Sequence, residues 1–284
     1  MKLTVLLDNN TLIDRYFLGE PGFSCYIQCD GRKILFDCGY SDAFLINARK
    51  MGIDLLNLDM VVLSHGHLDH TWGLDALLRL YTEAEIERLP WRKPKLVAHP
   101  HVFSPRKMAD LPEIGSMHTR ETLARFFDME LHTEPFNLTP NLVFLGQIER
   151  ANTFEAAHPL GTVLINGIER DDYILDDTAL ACTVQDGLVI ITGCSHAGIC
   201  NIVEQASRVC GVEHIVDIIG GFHLLDPPAG QLAGTLGYME TLGPDVLHAC
   251  HCTDLKSKIA LAKAGNLEEV GVGLVLEYED QNQP

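Results

Sequence analysis

The sequence predicts an α/β protein built as a four-layer αββα sandwich, two mixed sheets face to face with helices outside. Three observations carry this. Short apolar runs alternate with amphipathic helical stripes from end to end. Each half of the chain opens on strands and continues as strand–helix repeats. No linker or low-complexity tract interrupts the 284 residues, so 1–284 reads as one domain.

The elements follow in order. Leu3–Leu7, Phe23–Cys29 and Lys33–Asp37 have the β-rich character of strands, set off by turn signals at Pro21-Gly22 and Asp30-Gly31. Asp-Gly between two such runs marks a tight hairpin. A helix is expected over Asp42–Met51, closed by Gly52, then a strand over Met60–Leu63 and a helix with Leu74, Leu77, Leu78 and Tyr81 on one face. From 82 to 154 the pattern loosens, because prolines at 90, 94, 100, 105, 112, 135 and 140 exclude a long helix. Short strands are expected there at Lys95–Ala98 and Leu142–Leu145. In the second half, Tyr173–Val184 and Leu188–Thr192 read as strands paired about Asp186-Gly187. Ile199, Ile202, Val203, Ala206 and Val209 then form a helical stripe. A strand at Ile215–Ile219, a helix at Gln231–Leu242, a strand at Asp245–His248, a helix at Leu255–Ala264 and a strand at Gly271–Glu277 complete the expectation.

Composition narrows the function. The net charge of -18 repels phosphate backbones at long range, which argues against a nucleic-acid partner. No apolar run approaches the roughly 20 residues of a spanning helix, so no membrane role is expected. Nine cysteines, an odd number without a Cys-x-x-Cys pair, suit free thiols in a reducing cytoplasm. Within 82–154, Arg92, Lys93, Lys95, Arg106 and Lys107 gather in an otherwise acidic chain. They suit either a lid or wall that holds an anionic small-molecule substrate, or a solvated loop or oligomer contact.

The chemistry concentrates in Ser64-His65-Gly66-His67-Leu68-Asp69-His70, directly after the strand Met60–Leu63. Three imidazoles and a carboxylate at a strand's carboxyl end form the ligand set of zinc and similar divalent ions, in the place where α/β sheets put their sites. The strand-to-helix turn splits their directions, so His65 and His67 suit one ion and Asp69 and His70 a second. Each ion then needs a ligand from elsewhere. His196, His223 and His251 each follow an apolar strand; His196 and His251 are the expected ligands, and His223 is the expected catalytic acid or oxyanion contact. Asp69 is assigned a second role, holding an ion and accepting a hydrogen bond from the nucleophile. His99 and His101 flank Pro100 within possible reach. His118, His132, His158, His214 and His248 lack such a setting. Cys194, Cys250 and Cys252 adjoin the candidate ligands, either packing behind them or, for Cys194 above all, supplying sulfur. The helix beginning near Ala197 is a further candidate to offer backbone N–H groups to an anion.

With these residues the chain resembles the metallo-β-lactamase superfamily. The resemblance rests on His-x-His-x-Asp-His at 65–70, on Phe36-Asp37-Cys38-Gly39 before it, and on the later strand-end histidines. It implies that Asp37 supports the ligands from behind. Ser-His-Gly-His-Leu-Asp-His-Thr-Trp-Gly, Gly-Cys-Ser-His-Ala-Gly-Ile, Gly-Gly-Phe-His-Leu and Cys-His-Cys-Thr are similar to a narrower subgroup that includes archaeal dihydropterin ribofuranosyl-aminobenzene phosphate synthases. Where the superfamily carries a Gly-Asp-Thr-like turn with a metal-bridging Asp, this chain reads Gly193-Cys194-Ser195-His196. The bridge therefore passes to Cys194, to water alone, or its role to His196. His67, where flavodiiron relatives typically have Glu, implies hydrolytic zinc chemistry rather than redox iron. The expectation is a dinuclear Zn2+ hydrolase, with Mn2+ or Fe2+ as substitutes, attacking a small anionic or ester substrate with a metal-bound hydroxide. The alternatives are a transferase joining a pterin diphosphate to an arylamine with loss of pyrophosphate, and a non-catalytic metal-binding module.

Overall fold

Period-two alternation along the strands decides the layering. In the computed structural model, which describes residues 1–279, Val5, Phe36, Val62 and Val97 share one core with Leu180, Val189, Ile191 and Ile219. Their chain neighbours Leu6, Leu35, Val61 and Leu96 face the opposite way, onto Phe44, Leu77 and Tyr81. Ala181, Ile190 and Ile218 likewise turn outward onto Ile199, Ile202, Val203 and Leu261. Three buried apolar layers between four layers of secondary structure make the αββα sandwich, each buried Ile, Leu or Phe contributing about 1.5–3 kcal/mol. Residues 280–284 of the expected 1–284 domain lie outside the described residues.

The chain forms β1 (Lys2–Leu7), β2 (Ser24–Cys29), β3 (Arg32–Phe36), α1 (Ala43–Lys50), β4 (Met60–Val62), α2 (Leu68–Thr71), α3 (Leu74–Glu87) and β5 (Lys95–Ala98). It continues through a 3-10 turn (Pro100–Phe103) to β6 (Arg106–Lys107), α4 (Arg120–Leu123), β7 (Asp128–Leu131), β8 (Phe136–Asn137), β9 (Leu142–Phe144), β10 (Thr162–Ile165) and β11 (Ile168–Asp171). The last part holds β12 (Ala179–Val184), β13 (Gly187–Thr192), α5 (Ile199–Cys210), β14 (Ile215–Gly221), α6 (Ala229–Leu242), β15 (Val246–Cys250), α7 (Leu255–Ala264) and β16 (Val275–Glu277).

The first sheet runs β16-β1-β2-β3-β4-β5-β7, antiparallel up to β3 and parallel from β3 to β7. The second runs β15-β14-β13-β12-β9-β8, parallel among β13, β14 and β15. Parallel strands bring their carboxyl ends to one edge, so the segments after β3, β4, β13, β14 and β15 gather there. β1 is antiparallel to β2, which is antiparallel to β3, so its end arrives at the same edge.

Several boundaries differ from expectation. The strand expected over Tyr173–Val184 begins only at Ala179, because Ile174 takes a left-handed φ of 51° and the Asp172 and Asp176 carboxylates are drawn to Arg106. The final strand is shorter than Gly271–Glu277. The segment 82–154 carries β7, which extends the first sheet, and β6, which joins the hairpin β10–β11 in a small third sheet. That hairpin went unread because exposed Ile168–Asp171 lacks the alternating apolar pattern of a strand with one buried face.

Candidate metal centre

After β4 the chain leaves the sheet through Ser64 and turns at His65-Gly66-His67 before α2. The turn requires glycine, since a Cβ at Gly66 would lie 2.0 Å from Arg106 Nη1 and 2.3 Å from the Val102 carbonyl oxygen. The Gly66 N–H donates to Asp176 Oδ2 at 2.8 Å. Arg106 is buried, donates through Nε to Asp172 at 2.8 Å, and also donates to Asp176. A guanidinium shared by two carboxylates thus braces the histidine turn from the lid side.

Asp37 lies beneath the cluster at the end of β3. Its Oδ1 accepts the Ser64 N–H at 2.7 Å, and its Oδ2 accepts the Ser64 hydroxyl at 2.6 Å and lies 2.7 Å from His70 Nδ1. A carboxylate there fixes a ring proton on Nδ1 and directs Nε2 towards the cluster. Ser64 Oγ also lies 2.9 Å from His65 Nδ1.

The donors sort into two groups. His65 Nε2 and His196 Nε2 stand 3.2 Å apart, and the His67 ring centre lies 4.7 Å from that of His65 and 4.6 Å from that of His196. His70 Nε2 and His251 Nε2 are also 3.2 Å apart, with Asp69 Oδ2 at 3.9 and 3.4 Å from them. Cys194 belongs to both groups. Its Sγ is 3.1 Å from His251 Nε2, and its donor atom falls within 4.8 Å of those of His65 and His196 as well as those of His70 and His251. Cys194, His223 and Cys252 form a third such group.

Burial, reinforced by neighbouring imidazoles, pushes His65 and His196 well below the usual histidine range, so both present lone pairs. Burial and Arg106 bring His67 down to about 3, and its buried Nε2 has no hydrogen-bond partner. Burial also opposes charge on His70, yet the Asp69 and Asp37 carboxylates outweigh it and bring the imidazole up to about 9. The neutral imidazoles of His65, His67 and His196, a His70 ring whose Nε2 proton an ion would displace, a carboxylate, a thiol and an unsatisfied buried nitrogen fit a borderline-soft divalent ion such as zinc.

His251 is held by two residues that the sequence reading missed. Asp8 Oδ1 accepts its backbone N–H at 2.9 Å, and Asn9 Oδ1 lies 3.0 Å from its Nδ1. The signal was present, since both follow an apolar strand at the edge that carries the histidines. Asp177 was also missed. It accepts the Ala197 N–H at 2.7 Å, and burial brings its carboxyl up to about 7. Asp37, Ser195, His223 and His251 all have left-handed backbones, with φ of 56, 59, 50 and 49°, and such strain is characteristic of functional sites.

His223 places its ring 4.3 Å from that of His196 and has a buried Nδ1 without a partner. Burial opposes its charge, but the Cys252 sulfur and the Asp177 and Asp69 carboxylates raise it above the usual range. Cys252 lines the cavity, whereas Cys250 is buried in the core between the sheets. His99 and His101 pack on each other at 5.3 Å away from the cavity lining, and His118, His132, His158, His214 and His248 are also outside it.

Two questions left open by the sequence are decided here. The basic cluster does not face the site: Arg92 pairs with Asp59, Lys93 with Asp128 at 3.1 Å, Lys95 with Glu130 at 2.7 Å, and Arg106 is consumed by Asp172 and Asp176. Lys107 is exposed in β6 and is not part of the lining. The N-terminus of α5 is not open to an anion either, because Glu155 accepts the Cys200 and Asn201 N–H groups and Asp177 takes that of Ala197.

A cavity of about 1090 Å³ opens over the cluster, with His67, Asp69, Cys194, His196, His223 and His251 in its lining. All nine cysteines are free, and among the described residues no helix is long and apolar enough to cross a membrane.

Residues 19–145 match the sequence profile of the metallo-beta-lactamase superfamily. The chain is 30% identical over 275 residues to the 7,8-dihydropterin-6-methyl-4-(beta-D-ribofuranosyl)-aminobenzene-5'-phosphate synthase of Methanocaldococcus jannaschii, covering 91% of this chain and 89% of that one. A solved structure described as a metal-dependent hydrolase of the beta-lactamase superfamily superposes with a TM-score of 0.82 at 29% identity, over 99% of this chain and 100% of the other. Zn(2+)-bound PqqB of Methylobacterium extorquens shares the fold at a TM-score of 0.56 and 14% identity, over 98% of this chain and 100% of that one. With its two convergent donor groups, its αββα layering and a relative matched across nearly the whole length, this chain belongs to the metallo-β-lactamase superfamily.

Proposed function

We propose that this protein is a dinuclear metal-dependent hydrolase of a small ester or anionic substrate. The observation that carries the reading is the pair of donor groups, joined through Cys194, in the lining of one cavity. His65, His67 and His196 would hold one ion and Asp69, His70 and His251 the other, with Cys194 contributing sulfur between them. Zinc suits this donor set, with manganese or iron(II) as substitutes. When bound, such ions lower the pKa of water towards neutrality and polarise the bond under attack.

The chain's own residues supply the rest. Asp37, Asn9 and Ser64 orient three of the imidazoles through their Nδ1 atoms. Asp69 adds negative charge beside His70 and His251 and would accept a hydrogen bond from the nucleophile. His223 lines the same cavity, and the Cys252 sulfur and the Asp177 and Asp69 carboxylates favour its protonated form against burial, which suits a general acid for the leaving group or a hydrogen-bond donor to developing negative charge. Nine free thiols support a reducing compartment, the cytoplasm.

The test is turnover by the zinc- and manganese-loaded protein of phosphodiesters, phosphomonoesters and lactones, lost on His223→Ala and His251→Ala. No turnover of any class at full metal occupancy overturns the reading. A second reading, transfer of the pterin group of a pterin diphosphate to an arylamine with pyrophosphate as the leaving group, is favoured by the similarity to the Methanocaldococcus synthase. It requires pyrophosphate release that depends on both reactants; release without the amine excludes it.

A further inference from the structure

The walls of the cavity are unlike its ligand cluster. Met108, Leu111 and Ile114 line it from the segment after β6, Leu225 from the segment after β14 and Leu255 from the first turn of α7. Leu225 is 70% exposed, Leu255 73% and Leu111 50%. Apolar side chains from separate parts of the chain, left open to water around one mouth, mark a surface built for an apolar ligand. Lys258 is the only lysine or arginine in the described lining, with Asp254 also present there, and Arg92, Lys93, Lys95 and Arg106 are bound to carboxylates elsewhere.

We infer that the substrate is amphipathic. Its reacting group, the one place where it carries negative charge, sits at the histidine cluster, while an apolar body of aromatic or branched-alkyl size lies between Met108 and Leu111 on one side and Leu225 and Leu255 on the other. The walls cannot neutralise a polyanionic body, so charge on the substrate is confined to the end at the donor groups. Burying the apolar end supplies binding that does not depend on the reacting group, and it sets specificity by size. This rests on reading the cavity as the substrate site of a metal-dependent enzyme.

The experiment is calorimetric titration of the zinc-loaded protein with methylphosphonate and phenylphosphonate, which share a head group and need no turnover. Phenylphosphonate is expected to bind at least about tenfold more tightly. In the double variant Leu111→Ser, Leu225→Ser that advantage should fall to about threefold or less, with methylphosphonate affinity unchanged. Both side chains are largely exposed, so the variant keeps the buried core intact. Equal affinity for the two phosphonates, or an advantage that survives the double variant, overturns the apolar subsite and leaves the hydrolase reading standing. Binding of neither overturns the amphipathic substrate with its anionic head group, and the turnover screen decides the hydrolase reading independently.

Discussion

Asp37 Oδ2 and His70 Nδ1 meet at 2.7 Å with neither side chain exposed to water. The carboxylate reaches His70 from the end of β3, and in the same position it holds both the backbone N–H and the hydroxyl of Ser64. One buried group therefore sets the direction of the histidine turn and the tautomer of one of its ligands. Replacing it by Asn keeps the shape and removes the charge. Asp37→Asn is expected to weaken zinc binding roughly 10–100-fold with the far-ultraviolet circular dichroism unchanged. Competition with a chromophoric chelator measures this, and wild-type affinity would show that Asp37 does not orient His70.

Cys194 contributes to both donor groups, which predicts a spectroscopic signature. The cobalt-substituted protein should show a sulfur-to-cobalt charge-transfer band in the near ultraviolet. Cys194→Ser should abolish it, while Cys250→Ser, in the core between the sheets, leaves it in place. A band that survives Cys194→Ser assigns the sulfur to another residue.

Arg106 is buried between Asp172 and Asp176. Removing it strands two carboxylates without their cation, and such losses cost about 3–5 kcal/mol. Arg106→Ala should lower the urea midpoint accordingly and loosen the His65-Gly66-His67 turn, because Asp176 also receives the Gly66 N–H. Arg106→Lys should recover only part of the stability, since an ammonium does not reproduce the planar fork that reaches both carboxylates. A midpoint within 0.5 kcal/mol equivalent of wild type, that is, the range of about ±0.5 kcal/mol seen for surface changes, contradicts the brace.

Asp177 predicts a pH dependence. Burial raises its native carboxyl to about 7, whereas an unfolded aspartate titrates near pH 3.9, as a general reference value. Between these values the native state holds a proton that the unfolded state has lost. The metal-free protein should therefore lose stability as pH rises from about 4 to about 7, by at most about 1.4 kcal/mol per pH unit. Asp177→Asn keeps an acceptor for the Ala197 N–H and should remove that part of the slope. Identical slopes for the two proteins across pH 4–7 would show that Asp177 is charged throughout.

The sequence by itself determined the layering and the close grouping of His65, His67, Asp69 and His70. Continuous apolar runs such as Leu188–Ile191, which mark strands buried on both faces, and the helical stripe from Ile199 to Ala206 are local signals, and His65, His67, Asp69 and His70 lie within six residues of one another, so a strand-to-helix turn suffices to group them. The later histidines were legible for a related reason, since parallel strands bring their ends to a common edge. What only the tertiary structure decided depends on approach between distant segments. Asn9 and Asp8 reach His251 across 242 and 243 residues, Cys194 comes between the two donor groups, and Glu155 closes the N-terminus of α5 across 45. The segment 82–154 shows the same limit most plainly. Its sequence leaves open whether Arg92, Lys93, Lys95, Arg106 and Lys107 wall an anion site or form a solvated face; Asp59, Asp128, Glu130, Asp172 and Asp176 claim all but Lys107, and Met108, Leu111 and Ile114 line the cavity. Periodicity reports how a segment meets its own neighbours; which charges find partners, and which surface is left for a ligand, is decided when segments far apart in the chain compete for the same space.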